Sequence, residues 1–280
     1  MYLDKSLVIK ITAGILFILI LFATYKIVLP EDSIKLDSLT QCPTDKDLTK
    51  NYTVILIDET TGFQEFQRKM LSQNIMSLVK YEMLKPYESV SIFVVNDKPR
   101  AIEPIFQKCF PSIDESQINV EVLKDEYLEP FKQELLSISK EVFKPTKTAG
   151  SPLIEWIREI LERNEFKDKT VRLIIYSDMI ENTKKLSLYP TKEQSKYNFS
   201  KNTTYEFWKS HKKVSIFLNN IEIPDIKDLS LAVIQLEWGT MEHSLKVKKF
   251  WIDFLNDKGI SLDPRNSCRR NDFIDCWEIK

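Results

Sequence analysis

From residue 51 onward the sequence predicts an α/β fold of the Rossmann-like kind, with a mostly parallel central sheet flanked by helices, and three observations carry that prediction. The first is the run Tyr52-Thr-Val-Ile-Leu-Ile-Asp-Glu-Thr-Thr-Gly62, apolar and β-branched until it empties into acids, hydroxyls and a glycine. That is the pattern of a strand buried on both faces. The second is a matching run, Val171-Arg-Leu-Ile-Ile-Tyr-Ser-Asp178, which also ends in a carboxylate. The third is that segments with apolar residues at helical spacing separate the strand-like runs, and strand-helix-strand alternation implies parallel pairing.

Four segments are expected: an N-terminal transmembrane signal anchor over 1–29, a stalk over 30–50, the α/β domain over 51–260 and a C-terminal tail over 261–280 that packs on the domain. Residues 7–29 form an apolar run broken only by Lys10 and Lys26. As a helix it covers roughly the 30 Å of a bilayer's hydrocarbon, with both lysines near enough to the ends to snorkel. A cleaved signal peptide competes with this reading. The apolar part is long for a signal core, however, and no small-x-small cleavage site follows it. Lys5 and Lys10 before the span, with Glu31 and Asp32 after it, favour a cytoplasmic N-terminus and an exported domain, periplasmic or extracellular. Residues 30–50, rich in Asp, Lys, Ser and Pro, show no apolar period and suit a stalk.

Within the domain, Leu71, Ile75, Leu78 and Val79 place a one-faced helix between Phe63 and Leu84. Ser89 to Asn96 reads as the second strand, and Ile118 to Leu123 as a third, edge strand. A helix from about Glu126 to Phe143 follows, with Leu128, Phe131, Leu135 and Ile138 on one side. Ser151 is placed as an N-cap with Pro152 at the first helical position, and Leu153, Ile157, Ile160 and Leu161 face inward. Residues 182–210 read as a long polar loop with a helix around Tyr205 to His211, either a solvated loop or a recognition surface. Leu229 to Leu236 is a further strand. His243 to Lys258 is the last long helix, its Phe250, Trp251 and Phe254 turned to the core, with Gly259 as terminator and His243 as a solvated or capping residue. The tail shows no periodic element.

Composition removes several functions. A formal net charge of −1, from 40 basic and 41 acidic residues, leaves no global attraction for nucleic acid. Five glycines make a Gly-rich phosphate loop improbable, and no P-loop, dinucleotide fingerprint or Gly-x-Ser-x-Gly elbow occurs. Two histidines and no Cys-x-x-Cys pair argue against zinc. Cys42, Cys109, Cys268 and Cys276 allow three disulfide pairings, of which Cys268 with Cys276 and Cys42 with Cys109 is the simplest; four reduced thiols is the alternative.

Three loops remain. Asp58 and Asp178 end buried strands, and if those strands are neighbours the carboxylates repel unless a cation, a basic side chain or a proton relieves them. A hard divalent ion held by carboxylates, hydroxyls and water is the economical answer. Each loop also has a bland reading, with Asp58 or Thr60 capping the next helix and Ser151 capping its own.

The order Asp58-x-Thr60-x-Gly62, then Gly150-Ser151-Pro152 opening a helix, then Ser177-Asp178 after a buried strand, resembles a von Willebrand factor A-type (vWA-like) domain with its metal-ion-dependent adhesion site. The resemblance covers about residues 50–258. It implies a metal site of Asp58, Thr60, Ser151 and Asp178 for Mg²⁺, or for Mn²⁺ or Ca²⁺ in its place, with Asp178 acting from behind the ligands. Gly62 stands where the family has a serine, which makes the site degenerate. The stretch from Asp178 to Thr183 and the later Phe250 to Leu255 are also similar to bacterial membrane-anchored proteins of this type. The implied function is a binding module, not an enzyme, that meets an acidic side chain of a partner protein within a larger envelope assembly. Two alternatives stand beside it: a metal-dependent phosphoesterase or nuclease using Asp58, Glu59, Asp178 and Glu181, and a metal-free scaffold with a vestigial site.

Overall fold

Six strands form one sheet in the order β3-β2-β1-β4-β5-β6. Strand β1 (Asn51–Asp58) and β4 (Thr170–Ser177) are the central pair, parallel to each other, with β2 (Ser89–Val95) outside β1 and β5 (Asp228–Gln235) outside β4, both again parallel. The edges are antiparallel: β3 (Phe106–Cys109) on β2 and β6 (Cys276–Ile279) on β5. The computed structural model describes residues 34–60, 63–80, 83–95, 103–112, 120–141, 150–188, 204–210, 212–219, 221, 226–235, 241–260 and 276–279. The chain divides into two units, Met1–Leu36 and Asp37–Lys280. The candidate span at 7–29 lies outside the described residues, as do Gly62, Cys268 and most of the loop after Leu188. Among the described residues no helix is long and apolar enough to cross a membrane.

Central strands buried on both faces need an apolar residue at nearly every position, and β1 from Tyr52 through Asp58 is buried without a break. Its odd residues Ile55 and Ile57, with Ile92, Ile174 and Tyr176, meet helix α1 (Glu65–Lys80) through Leu71, Ile75 and Leu78. On the same side helix α3 (Glu129–Glu141) brings Phe131 and Leu135, after a short α2 (Val120–Leu123) and a π-type turn at Lys124–Leu128. The even residues Val54 and Leu56, with Leu173, Ile175 and Val233, face α4 (Leu153–Leu161), α5 (Tyr205–Ser210), α6 (Lys212–Asn219) and α7 (Met241–Asp257). Trp251 and Phe250 of α7 are wholly buried there, where truncation of such a ring costs about 3–5 kcal/mol. Gly259, at φ 80°, ends α7: its amide bonds Asn256 O and that of Ile260 bonds Leu255 O. A residue with a Cβ is strained at that φ.

Four expectations are corrected. The third strand is Phe106–Cys109, whereas Val120–Leu123 is helical. Val122 in the helical segment is 59% exposed, while Phe106 and Cys109 are buried. The tail contributes a strand, β6, at Cys276–Ile279. His243 is buried in the first turn of α7, and burial, aided by Lys246, lowers its pKa. Ser151 does not cap α4: Pro152 holds the cap position without a side-chain bond, because the serine hydroxyl is engaged elsewhere.

Of the two simplest disulfides, Cys42–Cys109 is present. It ties the segment before β1 to the outer strand β3, where Cys109 N also donates to Thr40 O at 2.9 Å.

Candidate functional site

In a sheet of this order the connections leave β1 in one direction and β4 in the other, and the crevice between their carboxyl ends is where doubly wound folds place ligands. Asp58 closes β1 and Ser177 closes β4 at that crevice. Asp58 is 2% exposed. Its Oδ1 accepts from Thr60 N at 3.1 Å and Thr60 Oγ1 at 2.7 Å, and its Oδ2 accepts from Ser151 Oγ at 3.0 Å and Ser177 Oγ at 2.7 Å. The serines lie 93 and 119 residues downstream. A buried carboxylate without donors would cost several kcal/mol, so these bonds are what allow Asp58 to sit inside the fold.

The loop bearing Ser151 is held by the loop after β4. Ser151 N donates to Asn182 O at 3.0 Å, and Asn182 N donates to Ser151 O at 2.9 Å. Gly150 is required at this crossing, since a Cβ there would stand 2.5 Å from Asn182 O. Glu181, wholly buried, accepts from Ile154 N at 3.0 Å and thereby serves the amino end of α4, the task expected of Ser151. Met179 adopts φ 61° between Asp178 and Ile180, which carries strain for a residue with a side chain. Three bonds hold the turn: Met179 N to Ser177 Oγ at 2.8 Å, Ile180 N to Asp178 Oδ1 at 2.9 Å, and Trp251 Nε1 to Met179 O at 2.6 Å.

Thr60 and Ser151 of the expected set therefore meet at Asp58 directly. Asp178 follows Ser177 at the same strand end and turns one oxygen to the Ile180 amide. Ser177 was absent from the expected set although it bonds Asp58 at 2.7 Å. Its signal in the sequence was the Ser-Asp pair that closes an apolar strand. Glu181 gave none, because nothing in its spacing shows that it reaches the start of a helix 27 residues earlier.

The surrounding acids do not behave as a set of free carboxylates. Burial, reinforced by Asp58 and opposed by Arg68, pushes the Glu59 carboxyl up to about 7. Burial raises Glu181 well above the carboxylate range, with Glu155 and Asp58 adding to it and the Ile154 amide opposing it. Glu59 Oε1 and Glu181 Oε1 find no hydrogen-bond partner among the described residues. Among those residues no three His, Cys, Asp or Glu side chains could hold a metal ion together. Any cation at this edge would depend on hydroxyl oxygens. The donor set fits one: every group is a hard oxygen, and a hydroxyl that gives its proton to Asp58 keeps its lone pairs for a cation.

No protein-family model matches the chain, and no curated protein matches it. Among solved structures it is similar to the ArnB paralog VWA2 from Sulfolobus acidocaldarius, at 16% identity and TM-score 0.36 over 72% of this chain and 40% of that one. It is also similar to the human COPII-coat protein Sec24c, at 12% identity and TM-score 0.28 over 56% and 23%. A third similarity is to a von Willebrand factor type A protein from Catenulispora acidiphila, at 9% identity and TM-score 0.28 over 76% and 44%. The chain spans less than half the length of each. Its class rests on its own strand order: a doubly wound α/β domain with a hydroxyl-lined carboxylate at the crevice between its central strands.

Proposed function

We propose that this is a membrane-anchored, vWA-like protein-binding module, tethered through residues 7–29, with its domain on the exported side. Asp58, Thr60, Ser151 and Asp178 would hold Mg²⁺, and Ser177 joins them by fixing Asp58. The observation that supports this reading is the convergence of the Ser151 and Ser177 hydroxyls, from two distant loops, on the Asp58 carboxylate within 3.0 Å. The ion, when bound, supplies positive charge at an edge that otherwise repels a partner's acidic side chain. The chain's own part is to orient: the Gly150–Asn182 crossing aims Ser151, and the strained turn at Met179 keeps Ser177 on Asp58.

Titrating the full chain in detergent with Mn²⁺, read by the resonance signal of the free ion, tests the site. Saturable binding that Mg²⁺ competes away and Asp58→Ala abolishes supports it. Binding of acidic peptides that EDTA removes would extend it to recognition. Failure to retain any ion ends the adhesion reading and leaves the scaffold, which one observation favours: four donors already satisfy Asp58. The hydrolase alternative needs Glu59 and Glu181 as ligands, yet one oxygen of Glu181 is already committed to the Ile154 amide.

A further inference from the structure

Helix α4 takes its amino-end bond from outside its own segment. A serine capping a Ser151-Pro-Leu-Ile154 start accepts from the amide two or three residues on, which here means Leu153 or Ile154. The Ile154 amide instead donates to Glu181 Oε2 at 3.0 Å, while the Ser151 hydroxyl donates to Asp58 Oδ2 at 3.0 Å. Glu181 is fixed where it stands. It opens a hairpin over 181–188, in which Leu188 N donates to Glu181 O at 2.8 Å and Thr183 N to Leu186 O at 2.8 Å. Leu186 and Leu188 are buried, and Asn182 bridges to both Ser151 and Ser187. A wholly buried carboxyl, with one oxygen unpartnered among the described residues, is a costly way to cap a helix. A serine at the start of the helix does the same without that cost.

We infer that Glu181 is a positioning residue of the Asp58 site: by occupying the Ile154 amide it keeps the Ser151 hydroxyl off the helix and turned to Asp58. The inference deepens the ion-binding reading and rests on it for the ligand, a hard divalent cation. Serving the Ile154 amide requires another rotamer of Ser151 than the one seen on Asp58, so the two tasks compete for one hydroxyl. With Glu181 gone, the orphaned amide draws the serine back to the ordinary capping role. A cation then loses the oxygen that the bond to Asp58 had held in place. Glu181 need not touch the ion, since it acts through Ser151.

The test titrates the full chain in detergent with Mn²⁺, read by the resonance signal of the free ion, with folding checked by circular dichroism. Glu181→Met fills the space without an acceptor and should weaken Mn²⁺ binding about tenfold or more, as loss of an outer partner does. Glu181→Gln keeps an acceptor for the Ile154 amide and should bind within about twofold of the parent. Crystals of Glu181→Met grown without added ion should show Ser151 Oγ on the Ile154 amide. Parent-like binding by Glu181→Met, an equal loss in Glu181→Gln, or Ser151 still on Asp58 in those crystals each overturns the inference. If methionine prevents folding, Glu181→Asp, too short to reach that amide, takes its place with the same expected outcomes. A parent that retains no Mn²⁺ overturns the ion reading alone, and the place of Ser151 in the variant crystals then decides whether Glu181 positions it.

Discussion

Each end of the sheet buries a carboxylate against a hydroxyl and an amide, yet the two are built differently. At the amino end, Glu88 accepts from Thr53 Oγ1 on one oxygen and from Lys85 N on the other, the latter closing a local turn. Both oxygens are satisfied, and the Cys42–Cys109 bridge lies at the same edge. At the carboxyl end, Asp58 draws in serines from two remote loops, and Glu59 and Glu181 each keep an oxygen with no partner among the described residues. The first arrangement closes on itself and holds the chain. The second gathers loops far apart in sequence, while left-handed residues flank both, Tyr87 beside Glu88 and Met179 beside Asp178.

If that contrast is right, the amino end should matter most for stability alone. Removing the bridge with Cys42→Ser/Cys109→Ser frees a loop of 67 residues and should cost about 4 kcal/mol in chemical denaturation, with Mn²⁺ affinity of the remaining folded protein unchanged. Ser177→Ala should cost about 3 kcal/mol, because it strands the Met179 amide and removes one of the two donors on Asp58 Oδ2. Unlike the first variant it should also weaken ion retention; equal retention would erase the distinction between the two ends. Gly150→Ala forces a Cβ against Asn182 O and should cost about 2 kcal/mol, with Ser151 displaced from Asp58.

The smallest effect sharpens the contrast through pH. Glu59 has its folded pKa raised from 4.5 to about 7, so the folded state holds this proton more tightly than the unfolded state. The stability that Glu59 contributes is therefore fully present below pH 4.5 and is lost as pH rises through about 7. Glu59→Gln should flatten that fall and leave the variant about 1 kcal/mol more stable than the parent above neutrality. Melting curves between pH 4 and 8 decide it, and a parent that gains stability across this range contradicts the assignment.

Much of the framework was legible in the residues. The β1 and β4 runs are apolar because both of their faces are covered, and the α7 stripe of Val247, Phe250, Trp251 and Phe254 repeats because one face packs on the sheet. The edge strands were not legible. Phe106-Gln-Lys-Cys109 has too few apolar residues to announce a strand, and its place is secured by pairing with β2 and by the disulfide. The three site loops were legible in order and type, since hydroxyls and acids at strand ends are conspicuous against apolar runs. Their division of labour was not: Ser151 looks like a cap and Glu181 like a ligand of the hydrolase alternative, whereas in the fold Ser151 bonds Asp58 and Glu181 serves the start of α4.

The indole of Trp251 reaches across 72 residues of sequence to the carbonyl of Met179, next to Asp178. A change in that turn therefore alters the surroundings of a buried fluorophore. Fluorescence of the chain's five tryptophans, Trp251 among them, can follow such a change without an attached label.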